Sequence, residues 1–298
     1  MKMTYVPRIQ GNMNGLKTIY TTRATSRIID GSYNSIYKGR SMNFDELREY
    51  VVGDDIKDID WKASARSQKL LIRQYIAEKK HNIMLVMDAN RRMLANANES
   101  QEKKDIALMA AGTLACMVSA NGDYVSATYS DASSIQHFPF KTGIINVENI
   151  MAAYDRDSSM NNGSELGAAL EFISRNIRRR MIMLIVTDLE GVHELSDRLL
   201  RQLKVMHDIL LICVDDADIK GKRVYNVTSG GYLPDFISED RKIARNESKR
   251  RQMIAEECAD KMKSVGITYQ TVDSTEDMDE KIAGLLNRHR QESTAVCR

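Results

Sequence analysis

The sequence is poor in proline, cysteine and tryptophan, and it has no long apolar run. Three prolines in 298 residues exclude a proline-rich linker between domains. No apolar run approaches the roughly 20 residues that cross a bilayer. The first residues carry no apolar signal segment, so we expect a cytoplasmic protein. The four cysteines form no C-x-x-C pair, which excludes a zinc knuckle and a disulfide framework; they are Cys116, Cys213, Cys258 and Cys297.

Several catalytic and nucleotide-binding patterns are also missing. The sequence has no G-x-x-x-x-G-K-[ST] loop, no G-x-G-x-x-G after a strand and no G-x-S-x-G elbow. The five histidines form no i,i+3 or i,i+4 pair, so no nucleophile and base can be named. We therefore expect a protein that is not an enzyme.

The charge balance argues against a protein dedicated to nucleic acids. Lys and Arg number 43 and Asp and Glu number 41, which gives a net charge of +2. Aromatic residues make up 6% of the chain, too few for a stacking platform. Two basic clusters, Arg175–Arg180 and Lys249–Arg251, keep a weak nucleic-acid-binding module open as an alternative.

From about residue 80, predicted strands alternate with predicted helices. Continuous apolar runs such as Ile83–Met87 and Met181–Val186 are typical of strands covered on both faces. We predict further strands at Tyr124–Tyr129, Ile209–Val214 and Ile267–Val272, and an edge hairpin strand at Ile135–Phe140. We predict helices over about 101–120, 146–154, 165–178, 194–206, 238–264 and 278–287. Ser100 is expected to cap the first of these helices. Ser238 is expected to cap the helix over 238–264, and Gly266 to end it. This alternation predicts an α/β fold with a doubly wound, mostly parallel sheet.

The N-terminal part of the sequence has a different character. It is polar, with short β-like pieces at Arg27–Tyr37 and Leu70–Ile76. We predict a β-rich extension over residues 1–78 and an α/β domain over residues 79–298. The extension is too small and polar to own a core, so we expect it to wrap the main domain.

Two aspartates follow the strongest predicted strands. Asp88 comes after Ile83–Met87, and Asp188 after Met181–Val186. The carboxyl ends of parallel strands share one edge of a sheet, so we expect the two carboxylates to meet there. With Asn90 and Ser164 from neighbouring loops, they offer the oxygen ligands that Mg2+ prefers. Arg92 opposes this, since a guanidinium has only donors and a fixed positive charge.

A dense charged motif covers Phe44–Arg66 and contains Trp61, the one tryptophan. We consider two interpretations. The motif is a docking surface for a partner, or it is a structural clamp that holds this segment to the α/β domain through an ion-pair network with Trp61 as its apolar anchor. The residues of interest are Arg48, Asp54, Asp55, Asp60, Trp61 and Arg66.

This motif resembles the signature of the "domain of unknown function 58" family. The shared pattern is F-x-x-L-R-x-Y-x-x-G-D-D-x-x-x-I-D-W-x-x-x-A-R, followed by a strand, Glu78 and the segment Asp88–Met93. The resemblance covers about residues 28–290. It implies a fold like that of von Willebrand factor type A (vWA) domains. It also implies a partnership with MoxR-type AAA+ ATPases in assembly or activation of client proteins.

The strand ends also resemble the metal-ion-dependent adhesion site of vWA domains. In that pattern, D-x-S-x-S follows the first strand, a Thr lies in a second loop and an Asp follows a later strand. Asp88, Asn90 and Arg92 take the first three positions here; Ser164 takes the fourth and Asp188 the fifth. With Arg92 at a ligand position, we expect a degenerate site without a metal ion.

Three functions follow from this pattern. The first is a non-enzymatic adaptor in which Arg92 pairs with an acidic residue of a partner protein. The second is a metal-assisted hydrolase that uses the acidic strand ends. The third is the nucleic-acid-binding module named above.

Overall fold

The structure is a computed structural model that describes residues 3–13, 42–77, 80–98, 100–131, 134–163, 165–216, 225–226, 231–232 and 241–296. The chain forms two compact units. Tyr33–Lys80 make the smaller unit, and Met1–Ser32 together with His81–Arg298 make the larger one. Within the described ranges, no helix is both long and apolar enough to cross a membrane.

A six-stranded sheet lies at the centre of the larger unit. Its strands are β3 (Asn82–Met87), β4 (Tyr124–Ser130), β5 (Ile135–Lys141), β6 (Ile182–Asp188), β7 (Asp208–Val214) and β10 (Thr268–Val272). They are ordered β10-β7-β6-β3-β4-β5 across the sheet. Only β5 is antiparallel to its neighbour, β4. The chain starts at β3, runs outward to β5, and then crosses to the other side of β3. The predicted doubly wound, mostly parallel sheet and its edge hairpin are therefore confirmed.

The described helices follow the strands in the alternation that the sequence predicted. They are α1 (Tyr5–Asn12), α2 (Trp61–Ser67), α3 (Lys103–Ala120), α4 (Ile144–Asp157), α5 (Leu166–Asn176), α6 (Leu189–Glu194), α7 (Asp197–Met206), α8 (Arg241–Val265) and α9 (Met278–Val296). Except for α2, all belong to the larger unit. Two further strands, β8 (Tyr225–Asn226) and β9 (Gly231–Tyr232), form a short antiparallel pair.

Helices cover both faces of the sheet, which explains the continuous apolar runs. Met84 and Val86 of β3 pack in a core with residues of α5, α6, α7 and α8. Side chains alternate along a strand, so Ile83 and Leu85 face the opposite layer. That layer contains α3, which packs against β3, β4, β6 and β7 and is buried along most of its length.

Two predicted helix boundaries are wrong for identifiable reasons. Ser100 does not cap α3, because the Asn98 side chain accepts the backbone N–H of Ser100 (3.0 Å) and Gln101 (2.9 Å) and holds this segment in a turn. The helix predicted over 194–206 is confirmed as α7 but begins three residues later, at Asp197, and the short helix α6 before it was not predicted. The backbone is extended at Leu195 and Ser196, which separate α6 from α7. The cap predicted at Ser238 and the strand predicted at Arg27–Tyr37 lie outside the described residues.

The first helix, α1, differs from the β-rich extension predicted over residues 1–78. It packs against α3 and α4 of the larger unit, with Val6 and Ile9 buried. The buried Glu148 carboxylate of α4 accepts the backbone N–H groups of Thr4 (2.5 Å), Tyr5 (3.1 Å) and Val6 (2.8 Å). A carboxylate at a helix N-terminus satisfies donors that have no partner inside the helix. This contact, together with the apolar pair, explains a helix that the polar sequence did not suggest.

The smaller unit contains an antiparallel pair of strands, β1 (Met42–Glu49) and β2 (Leu71–Ala77), with a bulge between Phe44 and Glu46. A 3-10 turn at Ile56–Asp58 and the helix α2 lie between the two strands. The strand predicted at Leu70–Ile76 is confirmed as β2. Its partner β1 falls in the charged motif, where no strand was predicted.

Candidate functional site

The structure brings Asp88 and Asp188 together at the carboxyl ends of β3 and β6. These strands are parallel neighbours in the centre of the sheet. The backbone N–H of Asp88 donates to the Val186 carbonyl (2.9 Å), and the Thr187 hydroxyl donates to Oδ2 of Asp88 (2.6 Å). Both carboxylates are buried. We call this edge of the sheet the rim.

Asp88 is held by neutral donors. The Asn90 backbone N–H donates to its Oδ1 (3.1 Å), and the Asn90 amide group donates to its Oδ2 (2.8 Å). Burial and the nearby charge of Asp188 raise the pKa of Asp88 to about 6, although the hydrogen bonds from Thr187 and Asn90 act in the opposite direction. Asp88 is therefore much more easily protonated than an exposed aspartate.

Asp188 is held by cations. The Lys103 ammonium lies 3.1 Å from its Oδ2, and Nε of Arg92 lies 3.3 Å from the same atom. The Gly191 backbone N–H donates to Oδ1 (2.8 Å). Burial alone raises the pKa of this carboxyl, but the charges of Lys103 and Arg92 outweigh it and hold the pKa below its ordinary value. Asp188 thus stays ionised.

Lys103 is the functional residue that sequence analysis missed. It lies in the first turn of α3 and is 2% exposed, which is rare for a lysine. Its ammonium pairs with Asp188 and with Asp216, which follows β7. Burial lowers the pKa of Lys103, but the charges of these two carboxylates outweigh it, so the ammonium form is retained.

Five side chains of alternating charge form a continuous chain along the rim. Arg92 extends from Asp188 outward to Glu194, where its Nη1 and Nη2 lie 3.0 and 3.1 Å from the two carboxylate oxygens. We call this series the rim ion-pair chain: Glu194, Arg92, Asp188, Lys103 and Asp216. Its centre is buried, while Glu194 at one end is 44% exposed.

The rim oxygens that could bind a divalent cation have partners within the protein. All four carboxylate oxygens of Asp88 and Asp188 accept hydrogen bonds or ion pairs from the chain itself. Asn90 turns its amide NH2 toward Asp88, and its oxygen accepts the backbone N–H of Arg92 (2.7 Å). Mg2+ binds oxygen ligands, and here it would have to compete with these donors and with the positive charges of Lys103 and Arg92 beside Asp188. In the part of the chain that the structure describes, no three His, Cys, Asp or Glu side chains form a metal-binding group.

The loop expected to add a fourth ligand is fixed to the rim through Asn162. The side-chain amide of Asn162 donates to the Ala89 carbonyl (2.7 Å), and the backbone carbonyl of Asn162 accepts the Arg91 backbone N–H (3.2 Å). Ser164, the predicted ligand, lies outside the described residues. The position of the loop is thus set by backbone contacts with the segment after β3.

In the smaller unit, four charged residues of the motif serve the local fold. Arg48 pairs with both oxygens of Asp54 at 2.8 and 2.7 Å. Asp55 accepts the Lys57 backbone N–H (3.0 Å) at the start of the 3-10 turn. Asp60 caps α2 and pairs with Arg73 at 3.0 Å. The hydrogen bonds from Arg48 to Asp54, and from the α2 backbone and Arg73 to Asp60, hold the pKa of each aspartate below its ordinary value.

Trp61 and Arg66 are placed differently. Trp61 is 64% exposed, so the prediction of an apolar anchor for the ion pairs is wrong. Trp61 is the first residue of α2, and the preceding residue, Asp60, supplies the cap. Arg66 is also exposed. Asp55 is exposed as well, so three of the motif residues named above present their side chains at the surface of the unit.

Comparisons with known proteins identify the family of this chain. Residues 46–225, more than half of the chain, match the family described as "Protein of unknown function DUF58". The chain belongs to this family. It is 26% identical over 191 residues to uncharacterised proteins of Mycobacterium tuberculosis (Rv1480) and Mycobacterium bovis (Mb1516), covering 63% of this chain. It spans only 60% of the length of these relatives.

Solved structures similar to this DUF58 chain include three proteins at low identity. The conserved hypothetical protein BatB from Bacteroides thetaiotaomicron is 15% identical, with 71% of this chain and 99% of that one covered and a TM-score of 0.45. A von Willebrand factor type A protein from Catenulispora acidiphila is 12% identical, with 74% and 44% covered and a TM-score of 0.40. The SpRpn10 VWA domain is 10% identical, with 71% and 94% covered and a TM-score of 0.35.

Proposed function

We propose that this DUF58 protein is a non-enzymatic, vWA-like adaptor that acts with a MoxR-type AAA+ ATPase in the assembly or activation of client proteins. The observation that carries the proposal is the rim ion-pair chain. It places Lys103 and Arg92 beside Asp188, so side chains of the protein itself supply positive charge at the position where a metal ion would supply it. The choice of a MoxR-type ATPase as partner rests on the family resemblance.

The engaged carboxylates favour an adaptor over a metal-assisted hydrolase. Hydrolysis of that kind needs a cation with an open coordination position and a group that activates water. Here the Asp88 oxygens accept from Asn90 and Thr187, and those of Asp188 accept from Gly191 and two cations. A degenerate adhesion site, in which fixed cations replace the ion, matches this arrangement better.

An ion pair in each basic cluster also favours protein partners over nucleic acid. Arg175 pairs with Glu171 at 2.8 Å, one turn earlier on α5. Arg250 of α8 pairs with Glu190 at 3.0 Å. Cations that are already paired release few counterions on binding a phosphate backbone, so they add little affinity.

The test is co-purification of the purified chain with a separately produced MoxR-type ATPase, with and without ATP and Mg2+. We expect retention of the ATPase in at least one nucleotide state. Arg92→Gln is expected to weaken retention about tenfold, the order of one charge-assisted contact of about 1.4 kcal/mol. Arg175→Gln, which removes an exposed arginine paired only along its own helix, is the matched control. No retention in any nucleotide state, or equal retention by both variants, would contradict the proposal.

A further inference from the structure

Arg92 lies between a buried carboxylate and an exposed one. Its inner Nε contacts Asp188, while its outer Nη1 and Nη2 contact Glu194. The Arg92 side chain is 17% exposed and that of Glu194 is 44% exposed. The guanidinium therefore turns its two-pronged outer edge toward the surface of the rim.

The position of Arg92 does not depend on Glu194. Arg92 belongs to a 3-10 turn, Arg91–Leu94, whose backbone N–H at Arg92 is capped by the Asn90 side chain at 2.7 Å. The next residue, Met93, is fully buried and fixes the turn in the core. Asp188 fixes the inner edge of the guanidinium. If Glu194 leaves, the outer edge remains in place and oriented.

Glu194 is the replaceable member of the rim ion-pair chain. It is the last residue of α6, a helix of six residues, and its carboxylate is the more exposed of the two that Arg92 contacts. Ends of helices open at low free-energy cost. Two parallel N–H···O contacts from the outer edge of a guanidinium are the bidentate geometry by which arginine binds a carboxylate.

We propose that the outer edge of Arg92 is a carboxylate-binding site, that Glu194 is its resident occupant, and that an acidic side chain of a partner protein displaces Glu194. The partner's aspartate or glutamate then completes the rim ion-pair chain in its place. This inference rests on the proposed adaptor function, because it names the chemistry by which the rim recognises a partner. It also makes Glu194 an internal competitor that keeps weak carboxylates off the rim.

The probe for the test is acetate, titrated against protein with 15N-labelled arginine side chains and followed by NMR at the Arg92 signal. Removing an internal competitor raises the apparent affinity for an external ligand. We expect the half-saturating acetate concentration to fall in Glu194→Ala by a factor of one plus the ratio of the effective concentration of the tethered Glu194 carboxylate to its intrinsic dissociation constant for Arg92; a fall of about tenfold corresponds to an effective concentration about nine times that constant. Glu194→Gln, which keeps the length of the side chain, is expected to show a fall in the same direction. Arg92→Gln identifies the signal by removing it.

Glu190→Ala is the matched control. Glu190 lies on the same short helix with a side chain that is also exposed, but it pairs with Arg250 instead of Arg92. We expect its acetate titration to equal that of the unmodified protein. Circular dichroism verifies that each variant is folded.

The outcomes separate this inference from the proposed function. If neither Glu194 variant changes the acetate titration while Arg92→Gln still weakens ATPase retention, the resident role of Glu194 is wrong and the adaptor stands. If the Glu194 variants bind acetate more tightly but Arg92→Gln retains the ATPase normally, the carboxylate site stands and the proposed function fails. An equal gain in Glu190→Ala overturns the inference.

Discussion

Replacement of Lys103 by methionine tests the electrostatic structure of the rim. Methionine keeps most of the length of the lysine side chain and removes its charge. Lys103 is 2% exposed and is one of two cations that neutralise buried Asp188. Removing one partner of a buried ion pair costs about 3–5 kcal/mol, because the other charge stays buried without compensation. Arg92 remains beside Asp188, and Asp216 at 22% exposure can be hydrated, so we expect about 3 kcal/mol.

The loss of stability has a defined pH dependence. The folded-state pKa of Asp188 lies below its ordinary value, so its ionisation stabilises the fold above about pH 4. That contribution is lost as the pH falls through the folded-state pKa. Without Lys103 the pKa of Asp188 moves upward. The difference in unfolding free energy between the two proteins is therefore largest at neutral pH and shrinks below about pH 4.

Urea unfolding followed by far-UV circular dichroism measures this difference, since most of the helices lie in the larger unit. Lys104→Met is the matched control; it removes the neighbouring lysine, whose partner Asp155 is 33% exposed, and is expected to cost about 1 kcal/mol or less. The double variant Lys103→Met/Asp188→Asn removes both charges. Its free energy of unfolding should be at least about 1 kcal/mol higher than that of Lys103→Met alone. A Lys103→Met protein within about 0.5 kcal/mol of the unmodified chain at neutral pH would refute the reasoning.

Three further predictions concern the surroundings of the rim and α1. In Gly191→Ala, the new Cβ overlaps the Thr187 hydroxyl and lies 3.1 Å from Oδ2 of Asp88, so we expect a loss of about 2–3 kcal/mol in urea unfolding; an unchanged midpoint would argue against the close packing. For Asp88→Asn, the raised pKa of about 6 means that the native aspartate stabilises the fold when protonated and loses this contribution as the pH rises through 6. The stability of the native protein relative to this variant should therefore fall by about 2–3 kcal/mol between pH 4 and pH 7, and a flat difference would contradict the shifted pKa. In Glu148→Gln, weaker hydrogen bonds to the backbone N–H groups at the start of α1 should raise amide hydrogen exchange across that helix about tenfold. Unchanged exchange would show that Glu148 does not anchor the helix.

The sequence predicts most of the sheet because its strands carry a local signal. A run such as Met181–Val186 is apolar on both faces, and a strand covered by two helix layers requires that pattern. The structure has β6 at Ile182–Asp188, so the run also locates the aspartate at its carboxyl end. Once two such strands are parallel neighbours, the meeting of Asp88 and Asp188 follows from topology.

The neutralising cation could not be read from the same pattern. Lys103 stands in a polar stretch at the start of α3, where lysines are usually exposed. Its burial depends on Asp188 and on Asp216, residues 85 and 113 positions away in the chain. One feature of the sequence indicates the position of Lys103. The rest of α3 is almost wholly apolar and therefore packs along the sheet, which places the first turn of the helix near the ends of the strands.

Helix ends and the role of Trp61 depend on contacts that a pattern does not show. Asp188 caps α6 through the Gly191 N–H and starts a separate short helix before α7. In the smaller unit, Arg48 pairs with Asp54 and Asp60 pairs with Arg73 without a contribution from the indole. Trp61 lies exposed.

A titration of the unmodified protein with Mn2+ is the most direct test of the claim that Lys103 and Arg92, rather than a metal ion, neutralise Asp188 at the rim. Calorimetry to millimolar Mn2+ is predicted to give no saturable binding, and Mg2+ to give the same result. Stoichiometric binding of either ion that disappears in Asp188→Asn would contradict the account.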